Sequence, residues 1–508
     1  MKVYLAGFNV DTAVLTELEK KAGKRQDLTP EVLSAAYARI SRDPRPINEI
    51  RKDARDEVDQ ARKSNRTIIF KMGHHSVAEH AVFNLDILGL SRLAMEELEK
   101  FRLCSYTEKS QRYTTLDKDF IVPDEIKGTR FEKMFLGIIR EQNEAYFKLF
   151  EKLKSQVFKK HQALAADPKK HSLLEGWAKE DARYITALAT ESQVGQTINA
   201  RNLELLLRRF ASHSLTEVRK LGELLYDEIA EVAPSIVIFH QANDYDQRTY
   251  SELKELAGEI IGKTSGGKTL ETPQEVQLIE FSGDGDTIIA ASFLHSCSAL
   301  PYEQCKSIVK ILPQEEKEKI FKTAWQNMQF YDSPPREFEY VNLTFNIVLS
   351  SACFGQLKRH RMSTITAQSY DPNLGVTMPE SIKEIDMETY FRGIVDKTND
   401  IYDVINKEIP LAAPYILTNA HRKRVLIQVN ARELYHISRF REDTHAQWDI
   451  QNISRAMSEQ AGKVMPLSFA LIGGKDRYNE IYQNIYGKLP KVTQAVLPGI
   501  QKIKKIEK

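Results

Sequence analysis

Arg359, His360 and Arg361 stand side by side in the chain, and a Ser/Thr-rich stretch, Met362–Ser369, follows them. Three adjacent basic groups can hold an anionic ligand from several sides. In a strand the imidazole would oppose the two guanidinium groups, and on a helix the three would fan out by roughly 100° per residue. A solvated basic run has the same composition, since Arg and Lys are mostly exposed. A second segment, Glu108-Lys109-Ser110-Gln111-Arg112, sets a carboxylate, a hydroxyl and two cations in five residues. A third, Gly73-His74-His75-Ser76-Val77-Ala78-Glu79-His80, concentrates titratable groups. Neither a Cys partner nor an H-E-x-x-H pattern accompanies its histidines, so no metal is expected there. Cys104, Cys297, Cys305 and Cys353 form no C-x-x-C pair, which argues against a zinc site or a disulfide framework. Cys104 lies beside a motif, but no adjacent base marks it as a nucleophile.

These segments are positioned by elements that occur twice. Ile198-Asn199-Ala200-Arg201 returns as Val429-Asn430-Ala431-Arg432, Arg209 as Arg441, His213 as His445 and Pro234 as Pro466, each 231 or 232 residues later. A single long offset points to two tandem copies of a domain rather than a solenoid. In each copy an alternating run, Ala81–Ile87 or Tyr340–Ile347, predicts a half-buried strand ahead of the motif, with a helix between. Leu203, Leu206, Leu207 and Phe210, then Val218, Leu221, Leu225 and Ile229, have helical spacing and belong to the core. Val3–Phe8 and Val276–Phe281 read as opening strands. Domain 1 is expected over 1–240 and domain 2 over 276–508. A linker is expected at 241–275, which holds Thr264-Ser265-Gly266-Gly267 and Thr272-Pro273.

The balance of 42% hydrophobic and 28% charged residues over 508 positions is that of a soluble globular protein. A net charge of +2 calls for neither nucleic acid nor an anionic membrane. No apolar run reaches the roughly 18 residues of a membrane span. Met1–Gly7 has no signal-peptide core, so a reducing cytoplasmic location is expected.

Arg359-His360-Arg361 with Ser369 resembles the signature of the flavin-dependent thymidylate synthases (the ThyX family), R-H-R-x-x-S-x-N-E-x-S-x-R-Y. The first copy, around Arg102, matches the same signature at Arg102, Ser105, Glu108, Ser110, Arg112 and Tyr113. Gly73–His80 resembles the family's G-H-x-S-x-x-E-H segment. The resemblance implies an α+β fold, two tandem copies each with a small sheet packed with several helices. It also implies a methyltransferase that converts dUMP to dTMP with FAD as cofactor and NADPH and methylenetetrahydrofolate as co-substrates. The G-x-G-x-x-G of a Rossmann dehydrogenase is missing, so the resemblance has no competitor there.

The family pattern then assigns roles. Glu108, Lys109, Ser110, Gln111, Arg112 and Arg183, with Gln356 and Arg359, are expected to bind dUMP, arginine forks matching phosphate oxygens. Arg359, His360, Arg361, Asn430, Arg432 and His445, with His74, Ser76 and Glu79, are expected to contact FAD. Arg441 is the expected catalytic cation for the uracil carbonyls. The copies have complementary losses: the first keeps Arg183 and the phosphate segment, and the second keeps Gln356 and Arg-His-Arg. Where the first has Arg183, Arg112 and Lys100, the second has Pro414, Asp371 and Arg359, and Glu97 stands for Gln356. Family members are tetramers with sites at interfaces, so a homodimer of this chain would be a pseudo-tetramer with composite sites. At the degraded sites, Asp371 and Glu97 are expected to repel dUMP by like charge. Methylation of another uridine nucleotide, or a non-catalytic flavin- or nucleotide-binding scaffold, remains open at this point.

Overall fold

The computed structural model describes residues 58–71, 74–111, 119–264 and 274–492, with 16–18, 20–21, 29–39, 45, 49 and 53 upstream. Val3–Phe8, Gly73, Arg112, Tyr113 and the Gly-rich part of the expected linker lie outside the described residues. Two compact units are present. The first gathers the described part of residues 1–272 with Ser350–Arg361 and Tyr370–Arg422. The second gathers the described part of 273–349 and 423–508 with Met362–Ser369. These units therefore interleave the two sequence copies: much of the second copy is built into the first unit.

In the first unit, β1 (Val82–Ser91) leads into α1 (Arg92–Leu98) and then β2 (Cys104–Glu108). Phe83, Leu85 and Ile87 on β1 are buried and Asn84 and Asp86 are exposed, as a two-residue period dictates. Gly89, at φ 71°, absorbs a register shift between Leu88 and Leu90 that a side chain would strain. The Ser91 hydroxyl caps α1 by accepting from the Ala94 N–H at 3.0 Å. After the long α2 (Glu132–Lys160), β3 (Glu191–Asn199) pairs antiparallel with both neighbours, giving the order β1-β3-β2. Asn199 caps α3 (Ala200–Ala211), and α4 (Thr216–Ala230) follows. The leucine stripes of α3 and α4 are buried as their spacing requires. Within the expected linker, Asp244–Thr264 is a 21-residue helix, α5. Its Glu, Lys, Leu and Ile content favours helix, and the breaking glycines gather only near and after its end.

The second copy adds α6 (Ser351–Leu357) and α7 (Glu388–Asn406) to this unit. Ser350 caps α6 through the Cys353 N–H at 3.0 Å, as Ser91 caps α1. Inside the unit the copies meet about a pseudo-two-fold axis. Leu188 N–H donates to the Leu417 carbonyl (2.8 Å), and Asn419 N–H to that of Thr186 (2.9 Å). Ala189 N–H donates to Tyr415 (2.7 Å), and Ala420 N–H to Tyr184 (2.9 Å). Each bond maps onto its mate by the 231-residue shift, and Ala187 bridges its own counterpart, Thr418. Such a reciprocal pairing is an isologous interface, here within one chain.

The second unit is a four-stranded sheet in the order β4-β5-β7-β6, with β4 Val276–Phe281, β5 Asn342–Ser350, β6 Thr364–Ala367 and β7 Arg422–Asn430. Asn430 caps α8 (Ala431–Arg441) through the Glu433 N–H (2.8 Å), the counterpart of the Asn199 cap, and α9 (Trp448–Val464) follows. Trp325, Phe338, Tyr435 and Phe321 form its aromatic core. Helices and two small sheets make the fold α+β, as expected.

Candidate active site

Glu108 ends β2, and Arg92 opens α1 with its Nη1 at 2.7 and 2.9 Å from the two Glu108 oxygens. Both side chains are about 5% exposed or less, so each is the other's main charge partner out of water. A Cβ on Gly355 of α6 would overlap the Arg92 Nη2, so the glycine makes room for the guanidinium. From the turn after α6, Lys358 pairs with Glu99 at 2.7 Å, also out of water. Arg359 reaches to 3.5 Å from the second Glu108 oxygen and remains half exposed. Arg361 donates to the Arg102 carbonyl at 3.1 Å. His360, between them, is buried, so the three basic residues divide between inside and outside. Burial alone would push the Glu108 carboxyl up. The charges of Arg92, Lys358 and Arg359 outweigh it and hold the group below the usual range, hence ionised. Arg92 is likewise driven further toward its charged form by Glu108, Glu96 and Glu99 against the opposing effect of burial.

Beyond β2, Gln111 is buried and its Oε1 accepts from the Nδ2 of Asn419 at 3.2 Å. The same Nδ2 lies 3.1 Å from the Arg183 carbonyl and 3.0 Å from the Thr186 hydroxyl. Arg183 is buried beside them, its Nε donating to the Glu180 carbonyl at 3.3 Å. His421 holds the Asn419 turn. Its Nδ1 accepts from the Thr418 N–H (2.9 Å), and burial lowers its pKa to about 4, so the ring is neutral. The pseudo-symmetric place is built differently. Tyr370 stands for Gln111, Leu188 for Asn419 and Leu417 for Thr186, and these three form a buried apolar cluster. The Tyr370 hydroxyl donates to Glu96 at 2.6 Å. Its burial and the Glu96 carboxylate raise its pKa well above 10, so it keeps its proton.

The first unit thus holds Glu108, Gln111, Arg183, Gln356, Arg359, His360 and Arg361, drawn from both copies; Glu108 meets Arg359, and Asn419 links Gln111 to the Arg183 carbonyl. The Lys109 backbone N–H donates to the Gln193 carbonyl at 2.8 Å, extending the β2–β3 pairing, and Ser110 is half buried. Arg112 lies outside the described residues. His74 and Ser76 are exposed on the short 3-10 turn around His75–His80, and Glu79 there pairs with Arg201 at 2.5 Å. Arg432, Asn430, Arg441 and His445 belong to the second unit. There Arg432 pairs with Glu339 (3.2 Å) and donates to the Pro334 carbonyl (2.7 Å), and the exposed His445 lies 2.7 Å from Asp443.

Arg92, Glu96, Glu99, Lys358 and Asn419 were not singled out from sequence. Comparison of the copies held a signal. Arg92 corresponds to Ser351 and Glu96 to Gly355, and the structure pairs them crosswise: Arg92 with Gly355, and Ser351 with Glu96 at 3.3 Å. Glu97, expected to repel an anion, is paired locally. Its carboxylate lies 2.6 Å from Lys100 and 3.2 Å from His213, so its charge is met locally. Burial would raise its pKa, but the His213 hydrogen bond and the Lys100 charge outweigh that and hold it at about 2. A depressed carboxyl contributes stability that is complete above the unfolded value and fades as pH falls through the folded one. Stability supplied by Glu97 is therefore expected to be lost as pH falls from about 4.5 toward 2. Thermal melts across that window should show a shallower fall in Tm for Glu97→Gln than for the parent protein; an unchanged slope would contradict the pairing.

The protein is thus a tandem α+β chain whose repeats jointly supply an ionised carboxylate, buried arginines and an Arg-His-Arg turn. The family model described as thymidylate synthase complementing protein matches residues 25–235 and again 277–467, and the chain belongs to that family. A flavin-dependent thymidylate synthase of Clostridium tetani is 31% identical over 212 residues, covering 41% of this chain and 80% of the relative. A UPF0159 protein of Chlamydia pneumoniae is 25% identical over 431 residues, 82% of this chain and 81% of the relative, and so spans both repeats. Among solved structures, a UMP/dUMP methylase, PolB, from Streptomyces cacaoi covers 38% of this chain and 92% of its own at 14% identity and a TM-score of 0.31. Among the described residues no helix is long and apolar enough to cross a membrane.

Proposed function

We propose that the protein is a flavin-dependent thymidylate synthase that methylates dUMP with methylenetetrahydrofolate and NADPH, using a site composed from both repeats. The observation that carries this is the meeting of Arg359, from the second repeat, with Glu108, from the first; in the same unit Asn419, also from the second repeat, bonds Gln111 and the Arg183 carbonyl of the first. Complementary losses in the two motifs leave one set of groups between them, and Glu108, Gln111, Arg183, Gln356 and Arg359 of that set belong to one unit. Arg183 and Arg112 are the cations for the phosphate, Gln356 and Arg359 close over the nucleotide, and Glu108 is held ionised by Arg92 as a fixed acceptor. The donor set suits FAD. The Arg359 and Arg361 side chains are exposed and forked for a pyrophosphate, and His74 and Ser76 are exposed donors on the same unit. FAD, when bound, supplies the redox chemistry of the transfer. The family resemblance adds Asn430, Arg432 and His445 as further flavin contacts and Arg441 as the cation for the uracil carbonyls. A dimer of chains in the cytoplasm, with repeats divided near residue 276, completes the reading.

The purified protein is expected to carry a flavin, seen in its visible absorbance, and the gene to rescue a thymidine-requiring strain. Arg359→Ala and His360→Ala should strip the flavin, while Arg102→Ala, at the corresponding place in the first repeat, should retain it. A colourless protein that takes up no FAD and gives no rescue would refute the reading. Equal flavin loss from Arg359→Ala and Arg102→Ala would refute the division between repeats.

A further inference from the structure

Five buried side chains lie within hydrogen-bond distance of one another in a row across the pseudo-two-fold axis: Gln111, Asn419, Ser351, Glu96 and Tyr370, the single Ser351 proton being shared between Asn419 and Glu96. The two ends of the row are counterparts of one another, yet one is an amide and the other a phenol. The direction of the bonds is fixed by groups that cannot change roles. The Arg183 carbonyl can only accept, and it also takes the Thr186 hydroxyl proton at 2.8 Å, which leaves the Thr186 oxygen as an acceptor. Asn419 must therefore turn its NH2 toward both, at 3.1 and 3.0 Å. Gln111, at 3.2 Å from the same NH2, shares one of its two hydrogens as a third acceptor, and facing an NH2 it can present only its oxygen. Its own NH2 then points away from Asn419, buried and without a partner among the described residues. A buried donor left unmade carries a desolvation penalty, which a ligand oxygen would remove.

We propose that Asn419, supplied by the second repeat, is a positioning residue that sets the amide of Gln111 so that its two N–H bonds face a phosphate oxygen of the bound nucleotide. The proposal rests on the nucleotide reading of the site given above. It assigns to the second repeat a part in phosphate recognition apart from the Arg-His-Arg turn. Leu188, the counterpart of Asn419, cannot orient an amide, in keeping with the apolar Tyr370 at the other end.

The orientation can be reversed without a change of shape. In Asn419→Asp the side chain can only accept, so Gln111 must turn its NH2 inward and offer its oxygen to the phosphate. Calorimetric titration of the FAD-loaded protein with dUMP should show affinity about 10-fold weaker or worse. Titration with deoxyuridine, which lacks the phosphate, should be unchanged. In a Gln111→Leu background, Asn419→Asp should add nothing, because the residue acts through Gln111. Asn419→Leu gives the same cycle if the buried Asp impairs folding, and thermal melting reports that. Tyr370→Phe, at the far end of the row, is the control and should leave dUMP affinity as it was. An equal loss from Asn419→Asp with and without Gln111 would overturn the positioning role, and an equal loss for deoxyuridine would overturn the phosphate assignment. If the parent protein binds no dUMP, the functional reading itself falls, and this inference with it.

Discussion

Arg92→Ala is expected to destabilise the protein by about 3–5 kcal/mol, the range for breaking a buried ion pair from one side. The cost comes from what is left behind. The Glu108 side chain is 4% exposed and has both oxygens on the Arg92 Nη1; without the guanidinium it would keep, among the described residues, Arg359 at 3.5 Å, the Ser192 hydroxyl at 3.3 Å and the more distant Lys358 charge. Glu96 and Glu99 also lean on the Arg92 charge. The remaining carboxylates would repel one another in a poorly screened interior. Removing both partners should cost much less, because no unpaired charge remains, so Arg92→Leu/Glu108→Leu is expected to be more stable than Arg92→Ala. Arg92→Lys should not restore the parent, since an ammonium cannot fill the space that Gly355 leaves for a planar guanidinium. Urea denaturation followed through the transition of the first unit would measure this. A single alanine variant losing under about 1 kcal/mol, or a double variant less stable than it, would show that the pair is not the electrostatic centre of the site.

Much of this arrangement was written in local pattern. Val276–Phe281 forms the strand its composition predicts, the alternation in Ala81–Ile87 becomes β1, and the leucine stripes of α3 and α4 are core. These follow from periodicity, which depends only on neighbours in sequence. The 231-residue offset also reads directly, and the structure turns it into paired hydrogen bonds at Thr186–Ala189 and Tyr415–Ala420. What could not be read depends on contacts far apart in the chain. Nothing local says that Arg92 and Glu108 share a pair, that Gly355 is small because Arg92 lies against it, or that Asn419 reaches Gln111. Within the segment expected to join the copies, Thr-Ser-Gly-Gly marks only the end, and the helix-forming residues before it build α5. That His213 answers the Glu97 charge with Lys100 was equally out of reach, since His213 lies 116 positions away.

One nucleotide and one FAD are expected to bind per 508-residue chain, although the chain carries two family domains. A pseudo-two-fold axis generates two related places, and their linings differ in kind. One has Gln111, Asn419, Thr186 and Arg183, with polar groups on every residue and an arginine for the phosphate. The other has Tyr370, Leu188 and Leu417, all 4% exposed or less and packed on one another, with Pro414 at the position of Arg183. A dianionic phosphate there would have to displace a packed tyrosine from its bond to Glu96 and lose its hydration without gaining a cation. Exclusion therefore comes from filling of the space and loss of donors rather than from the like-charge repulsion that Glu97 suggested. Arg183→Ala at the retained place removes a charge-assisted contact of roughly 1.5–3 kcal/mol, or about 10- to 150-fold in affinity. Because no second place can take over, it should weaken the whole of the dUMP signal by that factor. Counting flavin by absorbance and titrating dUMP by calorimetry gives both numbers. Two nucleotides per chain, or an Arg183→Ala variant that keeps half of its sites at the parental affinity, would mean that the Tyr370 side opens to ligand and that the repeats share the work evenly.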